Sequence, residues 1–467
     1  MSSALTRRTY RPDQGRREYT DRPASGAPWR SGVFQSSWST FEGVSNGGGE
    51  QMRSRATVAR HARLRSPGVG AQLLVFLAGA VAVVVVAGAA VAGFAAIDLV
   101  TEFSTKAVAL EDEVAAPPSM GEYEGAFDVL IVGTDECEEE LKAAMGDRCK
   151  GPDSEGQLND VNMLIHVADN PRRVTVVSFP RDLQIPIPSC TRADGSTTSA
   201  MSKQPINSAF SYGGLTCVAK TVADLSEQSI PFAAKVSFGN VVKITDAIGG
   251  VEVCIGNDGI RDPNTGIDWP AGPRTVKGLD ALQFLRTRHG VGDGSDLARI
   301  GNQQQYMSRL IRKIRSDEVL TNPAALYSLA TAAAKNITPS ESLVNPLRIM
   351  QLALAVKSVP FEDITFVQYP VLTDPDNANK VIPDPQSAAV LWDALVQNRP
   401  IQLSGKAGSN GGVIDVTPTS PPVAVTPTPD GTTTATPAPV PTEDAIVLPE
   451  NVNGSNAGQE TCSAGNR

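Results

Sequence analysis

The feature that most limits what this chain can become is a stretch of 32 residues without a charge, from Ser66 to Ile97. Its densest part, AQLLVFLAGAVAVVVVAGAAVAGFAAI (71–97), is apolar almost throughout. About 20 apolar residues cross a bilayer as a helix, so this run is long enough to span with some tilt. A cleaved signal peptide has an apolar region of only about 7–15 residues near the N-terminus, whereas this run is longer and starts after residue 65. A buried globular helix rarely goes so long without a charge. Residues 66–97 are therefore expected to form one N-terminal transmembrane helix.

Charge fixes its direction. Residues 1–65 hold twelve arginines against five acids, a surplus of seven, while the remainder holds 29 basic and 45 acidic residues. Arg53, Arg55, Arg60, Arg63 and Arg65 precede the run; Asp98, Glu102, Glu111, Asp112 and Glu113 follow it. Positive charge stays on the cytoplasmic side. The expectation is a single-pass protein of the cell membrane, its N-terminus cytoplasmic and residues 98–467 extracytoplasmic. The Arg-, Ser- and Gly-rich segment 1–65 reads as a disordered cytoplasmic tail, and the acidic remainder argues against nucleic acid as a partner.

All six cysteines (Cys137, Cys149, Cys190, Cys217, Cys254, Cys462) lie beyond the apolar run. An even set confined to an exported segment points to disulfides. Zinc is the rival, but no CxxC pair or neighbouring histidine supports it. Six cysteines allow 15 connectivities; proximity favours Cys137–Cys149 and Cys190–Cys217, leaving Cys254–Cys462 as the remainder.

Residues 98–120 read as a linker ending in AAPPSM, and 404–467 as a low-complexity tail, with nine Pro and nine Thr between 416 and 450. Between them, 121–403 has the pattern of one folded domain. FDVLIVGT (127–134), VNMLIHVA (161–168), RRVTVVSF (172–179), AAKVSF (233–238), GVEVCI (250–255) and ITFVQY (364–369) read as buried strands. Residues 300–314, 325–334 and 346–358 read as helices with apolar faces. Strands covered by helices on both faces make an α/β protein, an α–β–α sandwich.

Three histidines (His61, His166, His289) exclude a multi-histidine metal centre, and Walker A, GxSxG, HExxH and dinucleotide fingerprints are absent. What stands out is polar residues at strand ends. Asp135 follows the first strand, Asp160 opens the second, and SFPRD places Arg181 and Asp182 after the third, which Pro180 terminates. FLRTRHGVGDGSDLARIGNQQQ then adds Arg286, Arg288, Asp296, Arg299 and Gln303. Ligands of open α/β sheets bind beyond the carboxyl ends of strands. Arginine grips phosphate oxygens bidentately, and a hard cation bridges carboxylate to phosphate. Acids and arginines at one edge suit a pyrophosphate with Mg²⁺ or Mn²⁺.

SFPRD (178–182), INSAFSYGG (206–214), AIGGVEV (247–253), GLDALQFLRTRH (278–289) and GSDLARIGNQQQ (294–305) together resemble the ordered motif series of the LytR–CpsA–Psr family. The resemblance implies an α–β–α sandwich that holds a lipid chain in an apolar tunnel between sheet and helices. It implies a membrane-anchored phosphotransferase that moves a glycopolymer from a polyprenyl-pyrophosphate carrier onto peptidoglycan. By resemblance, Asp135 and Asp160 are the Mg²⁺-associated acids. Arg181, Arg286, Arg288 and Arg299 contact the pyrophosphate, with Asp182 a catalytic carboxylate candidate. Asn207, Asp296 and Gln303 match other polar positions near the substrate. The apolar helix faces within 300–358 are candidates for lining the tunnel or for plain core.

Two departures from the family pattern stand out. Where the family has GxDxR, GTDECEEE places Glu136 and Cys137 after Asp135; and Asp160 sits in LNDV rather than an Arg-Ser-Asp-Thr setting. The alternatives to transfer are hydrolysis of the same lipid pyrophosphate, a transcriptional attenuator, and a non-catalytic wall-binding module.

Overall fold

The computed structural model describes residues 97–111, 121–139, 142–145, 149–150, 157–405, 411–417 and 445–467, with isolated residues at 93, 95 and 407. The chain divides into two units, Met1–Leu73 and Leu74–Arg467; the first, and with it the expected cytoplasmic tail, lies outside the described residues. Apart from Gly93, Ala95 and Ile97, so does the expected span 66–97. Among the described residues no helix is long and apolar enough to cross a membrane.

The centre is a seven-stranded mixed sheet. Its strands are β1 (Phe127–Thr134), β2 (Asn159–Val167), β3 (Val174–Phe179), β4 (Phe232–Ser237), β5 (Thr338–Pro339), β6 (Ile364–Gln368) and β7 (Gly454–Asn456). They lie in the order β5-β4-β1-β2-β3-β6-β7. β1 runs parallel to β4, and β3 parallel to β6, while β2 is antiparallel to both of its neighbours. Helices cover both faces. On one side α1 (Ala209–Ser226) and the helix Pro385–Val396 pack Val218, Val222 and Leu391 against Leu130, Leu164 and Val177. On the other, Ala355 of the helix Pro346–Lys357 meets Met163, Val176 and Phe366. Burial on both faces explains why β1 and β3 read as unbroken apolar runs rather than alternating ones. This is the three-layer α/β arrangement expected from the sequence.

A four-stranded sheet (Val413–Asp415, Thr461–Ala464, Val251–Gly256, Gly272–Val276) packs with α2 (Phe238–Ala247), α3 (Gly278–Arg286) and α4 (Asp296–Ile314). Residues 404–467 are not, as a whole, the unpacked tail expected from their composition. Residues 418–444 lie outside the described residues, but the segments on either side are built into the domain. β7 extends the central sheet, Thr461–Ala464 joins the second, and Cys462 is bonded to Cys254. The other cysteines pair as Cys137–Cys149 and Cys190–Cys217.

The order of strand directions decides where polar groups gather. Because β2 runs against β1 and β3, its first residues lie at the same edge as the last residues of those two strands. A β-bulge marks that edge: Gly133 pairs with Val161 and Thr134 with Asn159, leaving Asp160 as the extra residue. Bulges re-aim a side chain locally. Gly133 permits it, since a Cβ there would stand 2.7 Å from the Val161 Cβ.

Candidate active site

β3 stops at Pro180, which has no N–H to continue the ladder. Leu183 N then donates to Pro180 O (3.1 Å), closing a tight turn with Arg181 and Asp182 at its tip. The same edge receives the N-terminus of α4, where Ser295 Oγ caps Ala298 N (3.3 Å). Asp296 and Arg299, one turn apart, thereby face the β2 bulge.

These elements bring together two guanidiniums and two buried carboxylates. Arg181 Nη1 donates to Asp160 Oδ2 at 2.9 Å, and its Nε lies 3.4 Å from Asp296 Oδ1. Arg299 Nη2 stands 2.7 Å from Asp296 Oδ1 and donates to the Asp160 carbonyl at 3.1 Å; its Nη1 is 3.6 Å from Asp160 Oδ2. Asp160, Asp296 and Arg299 are 9%, 8% and 4% exposed. Removing one member of such a buried set leaves its partner's charge uncompensated and costs about 3–5 kcal/mol. Burial works to raise the Asp160 pKa, but the charges of Arg299 and Arg181 outweigh it and hold the carboxyl below its ordinary value. Among the described residues, Asp160 Oδ1, both Asp296 oxygens and the Nε of Arg181 and Arg299 lack a hydrogen bond of good geometry. Of these, Asp296 Oδ1 and Arg181 Nε already face opposite charges, which leaves Asp160 Oδ1 and Asp296 Oδ2 as the acceptors that a cation could use.

A cleft of about 690 Å³ opens over this cluster, lined also by Asp182, Arg288 and Lys380. Asp182 lies 3.6 Å from Arg181 Nε and is paired with Lys380 Nζ. Arg288 is half-buried, its guanidinium meeting only the His289 ring at 3.4 Å and no carboxylate among the described residues.

A model of the LytR_cpsA_psr family matches residues 97–397, more than half of the chain. The chain belongs to the LytR–CpsA–Psr family. It is 31% identical over 272 residues to the cell wall biosynthesis protein LcpA of Corynebacterium glutamicum, covering 53% of this chain and 50% of that one. It is 25% identical over 237 residues to TagV of Bacillus subtilis, a polyisoprenyl-teichoic acid–peptidoglycan teichoic acid transferase, covering 50% and 58%. The chain therefore spans about half the length of these curated relatives. A solved LytR-Csp2A-Psr enzyme from Actinomyces oris aligns with a TM-score of 0.43 at 22% identity, over 62% of this chain and 94% of that one.

In this LytR–CpsA–Psr chain, Asp160, Arg181, Asp182, Arg288, Asp296 and Arg299 all converge on the cluster and its cleft, as their spacing implied. Asn207 touches it too: its N donates to Arg181 O (3.3 Å), and its side chain helps to hold the Asp160 carboxyl below its ordinary value. Asp135 lies at the same edge, where Oδ1 accepts from Leu158 N (2.8 Å) and tethers the approach to Asp160. Arg286 ends α3 and is half-buried, two residues before Arg288. Gln303 departs from its expected role. It sits two turns along α4, buried, with its amide donating to Leu285 O (3.0 Å), so it fastens α4 to α3 rather than facing the cleft.

Two residues that the sequence reading did not name also shape the site. Lys380, on the hairpin Val371–Asp374/Asn377–Pro383, brings its ammonium 198 residues along the chain to Asp182. Asp262 clamps the arginine loop. Its Oδ2 accepts from Thr287 Oγ1 (2.8 Å), Arg288 N (2.9 Å) and His289 N (3.1 Å). Burial works to raise the Asp262 pKa, but these hydrogen bonds outweigh it and lower the pKa overall.

An apolar cavity of about 70 Å³ lies between the sheet and α2–α4, lined by Ile131, Met163, Phe238, Leu285 and Tyr306 among others. Of the stretch 300–358, only α4 contributes to its wall; Pro323–Asn336 and Pro346–Lys357 do not.

Proposed function

We propose that this chain is a membrane-anchored phosphotransferase. In this reading it moves a glycopolymer from a polyprenyl-pyrophosphate carrier onto peptidoglycan, at the outer face of the cytoplasmic membrane. The observation that carries the reading is the buried Asp160–Arg181–Asp296–Arg299 set beneath an open cleft that Arg288 borders. Three cations (Arg181, Arg299, Lys380) face three carboxylates (Asp160, Asp182, Asp296), so the set is close to neutral and would hold a pyrophosphate weakly by charge alone. A bound Mg²⁺ or Mn²⁺ would supply the missing positive charge and polarise the phosphoryl oxygens. Asp160 through Oδ1, with Asp135 at the end of the neighbouring strand, is the set that would hold it. Mg²⁺ commonly uses one or two carboxylates plus substrate phosphates rather than an all-protein cage. This suits an edge where no group of three or more His, Cys, Asp or Glu among the described residues forms such a cage.

The protein's own part is positioning and neutralisation, which dominate phosphoryl transfer. Arg288 takes phosphate oxygens from the cleft side, with Arg286 two residues before it at the end of α3, while Arg181 and Arg299 hold the buried side. A sugar hydroxyl of peptidoglycan forms a bond to the phosphorus that bears the glycan. The bond from that phosphorus to the bridging oxygen breaks, and the lipid leaves as its monophosphate. The hydroxyl proton passes to a carboxylate at the cleft, with Asp182 the one on its rim. The apolar cavity behind α2–α4 lies where a lipid chain would enter between sheet and helices, but at about 70 Å³ it must widen to admit one.

The test is full-length protein in detergent with a lipid-linked oligosaccharide donor and soluble glycan strands. Lipid monophosphate and glycan-modified strands are the expected products. Lipid monophosphate with free glycan phosphate, whether or not strands are present, would instead make the enzyme a hydrolase.

A further inference from the structure

The cleft beside Arg181 and Arg288 is lined mainly by charged and polar groups and has no aromatic side chain among the described residues of its wall. A second groove, of about 840 Å³, is lined by the start of α1, the Thr191–Asp194 loop, Ala107–Ala109 and Lys235. α1, whose first residues line it, is broken near its start. Gly213 (φ −156°, ψ 22°) and Gly214 (φ 67°, ψ −157°) are non-helical and kink it. Gly214 takes a positive φ that other residues rarely adopt. A Cβ on Gly213 would stand 2.8 Å from Cys190 Cβ and 2.9 Å from Cys217 Cβ, so the bonded cysteine pair packs directly on the break. The kink leaves Phe210 and Tyr212 only half-buried on the groove floor. Arg192, exposed, and Lys235, paired with Glu136, border it.

Hydrogen bonds tie the start of α1, which lines the groove, to the cluster. Asn207 N donates to Arg181 O (3.3 Å), and Phe210 N donates to Asn159 Oδ1 (3.0 Å), the residue before Asp160. Phe210 is thereby held one residue away, through Asn159, from the cluster's Asp160. Lys235, which also lines the groove, pairs with Glu136, next to Asp135. Two aromatic rings with cationic and hydroxyl groups at the rim suit a ligand that is apolar on its faces and polar at its edges. A pyranose has that form: C–H groups on its faces and hydroxyls around its edge.

We propose that this groove seats the acceptor glycan strand, its sugar faces over Phe210 and Tyr212, so that one hydroxyl reaches the cleft past Asn207. The assignment rests on the transferase reading. Other conceivable occupants are the lipid chain and the chain's own residues 112–120, which follow the Ala107–Ala109 border of the groove.

The experiment measures acceptor and donor KM separately, using full-length protein, a lipid-linked oligosaccharide donor and uncrosslinked glycan strands. Tyr212→Ala and the exposed-loop variant Arg192→Glu should raise acceptor KM about tenfold or more, out of proportion to any change in donor KM. Tyr212→Phe, which keeps the ring, should restore it. Arg192→Glu keeps the test alive if Tyr212→Ala fails to fold. Acceptor KM unchanged in both variants, with donor cleavage intact, overturns the groove alone. A rise confined to donor KM assigns the groove to lipid and also overturns it. Higher affinity for strands after deletion of residues 112–120 shows that the chain itself fills the groove, with the same consequence. Wild-type protein that neither cleaves donor nor binds strands overturns the transferase reading and the groove together.

Discussion

Asp262 offers the sharpest test of how the arginine loop is held. One buried oxygen, Oδ2, accepts from Thr287 Oγ1, Arg288 N and His289 N at 2.8, 2.9 and 3.1 Å. A hydrogen bond to a charged group contributes about 1.5–3 kcal/mol net. Three would sum to roughly 4.5–9 kcal/mol, but bonds sharing one acceptor do not add fully. Arg288 is half-buried and His289 exposed, so water recovers part of the loss once the loop loosens. Asp262→Ala should therefore cost about 4 kcal/mol. In a domain of this size that lowers Tm by roughly 8–15 °C. Asp262→Asn keeps an acceptor but loses the charge and should cost about half as much. Asp268→Asn, on an exposed pair with Arg467, is the control and should change stability by less than about 0.5 kcal/mol. Hydrogen exchange at the Arg288 and His289 amides reads the clamp directly and should accelerate about a hundredfold or more in Asp262→Ala. Unchanged exchange at those two amides, with Tm within a degree or two of wild type, would refute the clamp.

Further outcomes follow from the same geometry. Asp160 and Asp262 have depressed folded-state pKa values; their contribution is present above the ordinary aspartate value near 3.9 and is lost as pH falls through the lower folded values. Acid titration of stability in Asp160→Asn and Asp262→Asn should accordingly show a shallower decline below about pH 4 than wild type. Replacing both Cys254 and Cys462, 208 residues apart, by Ser should cost about 5 kcal/mol by loop entropy, against about 3 kcal/mol for Cys137 and Cys149, 12 apart; denaturant titration ranks the two, and the reverse order would contradict the entropic account. Lys380→Ala unpairs the Asp182 carboxylate from its cation and should lower kcat by about tenfold with little change in Tm; an unchanged kcat removes Lys380 from the site.

Much of the site was legible because it rests on strand ends, which apolar runs mark clearly. All six apolar runs read as strands are strands, and the antiparallel placement of β2 explains why Asp135, Asp160 and Arg181 share an edge. Where the reading missed, the residues carry no local signal. Lys380 lies on a largely exposed hairpin, and its partner is 198 residues away. Asp262 stands in IRDPNTGIDW, where an Asp before Pro-Asn-Thr-Gly reads as a turn former; that is half of its work, since Oδ1 does accept from Asn264 N at 3.0 Å. Gln303 shares a motif with Arg299, but its position two helical turns into α4 turns its amide to α3. The segment 445–467 looks like a tail because its strands are short and rich in Gly, Ser and Asn. Its order comes from tertiary partners: Arg309 and Arg312 on Glu460, Ser463 on Asn302, and Asn466 on the carbonyls of His289 and Gly292.

A transferase of this kind must handle the lipid pyrophosphate at the cleft cluster. Arg288 tests this most directly, because its guanidinium pairs with no carboxylate among the described residues and its loss should leave the fold intact. The measurement is the rate of lipid monophosphate release from a polyprenyl-pyrophosphate oligosaccharide by full-length wild type and Arg288→Ala at matched Tm. Loss of one bidentate phosphate contact should slow release by about a hundredfold or more. Release by Arg288→Ala at the wild-type rate would contradict the account.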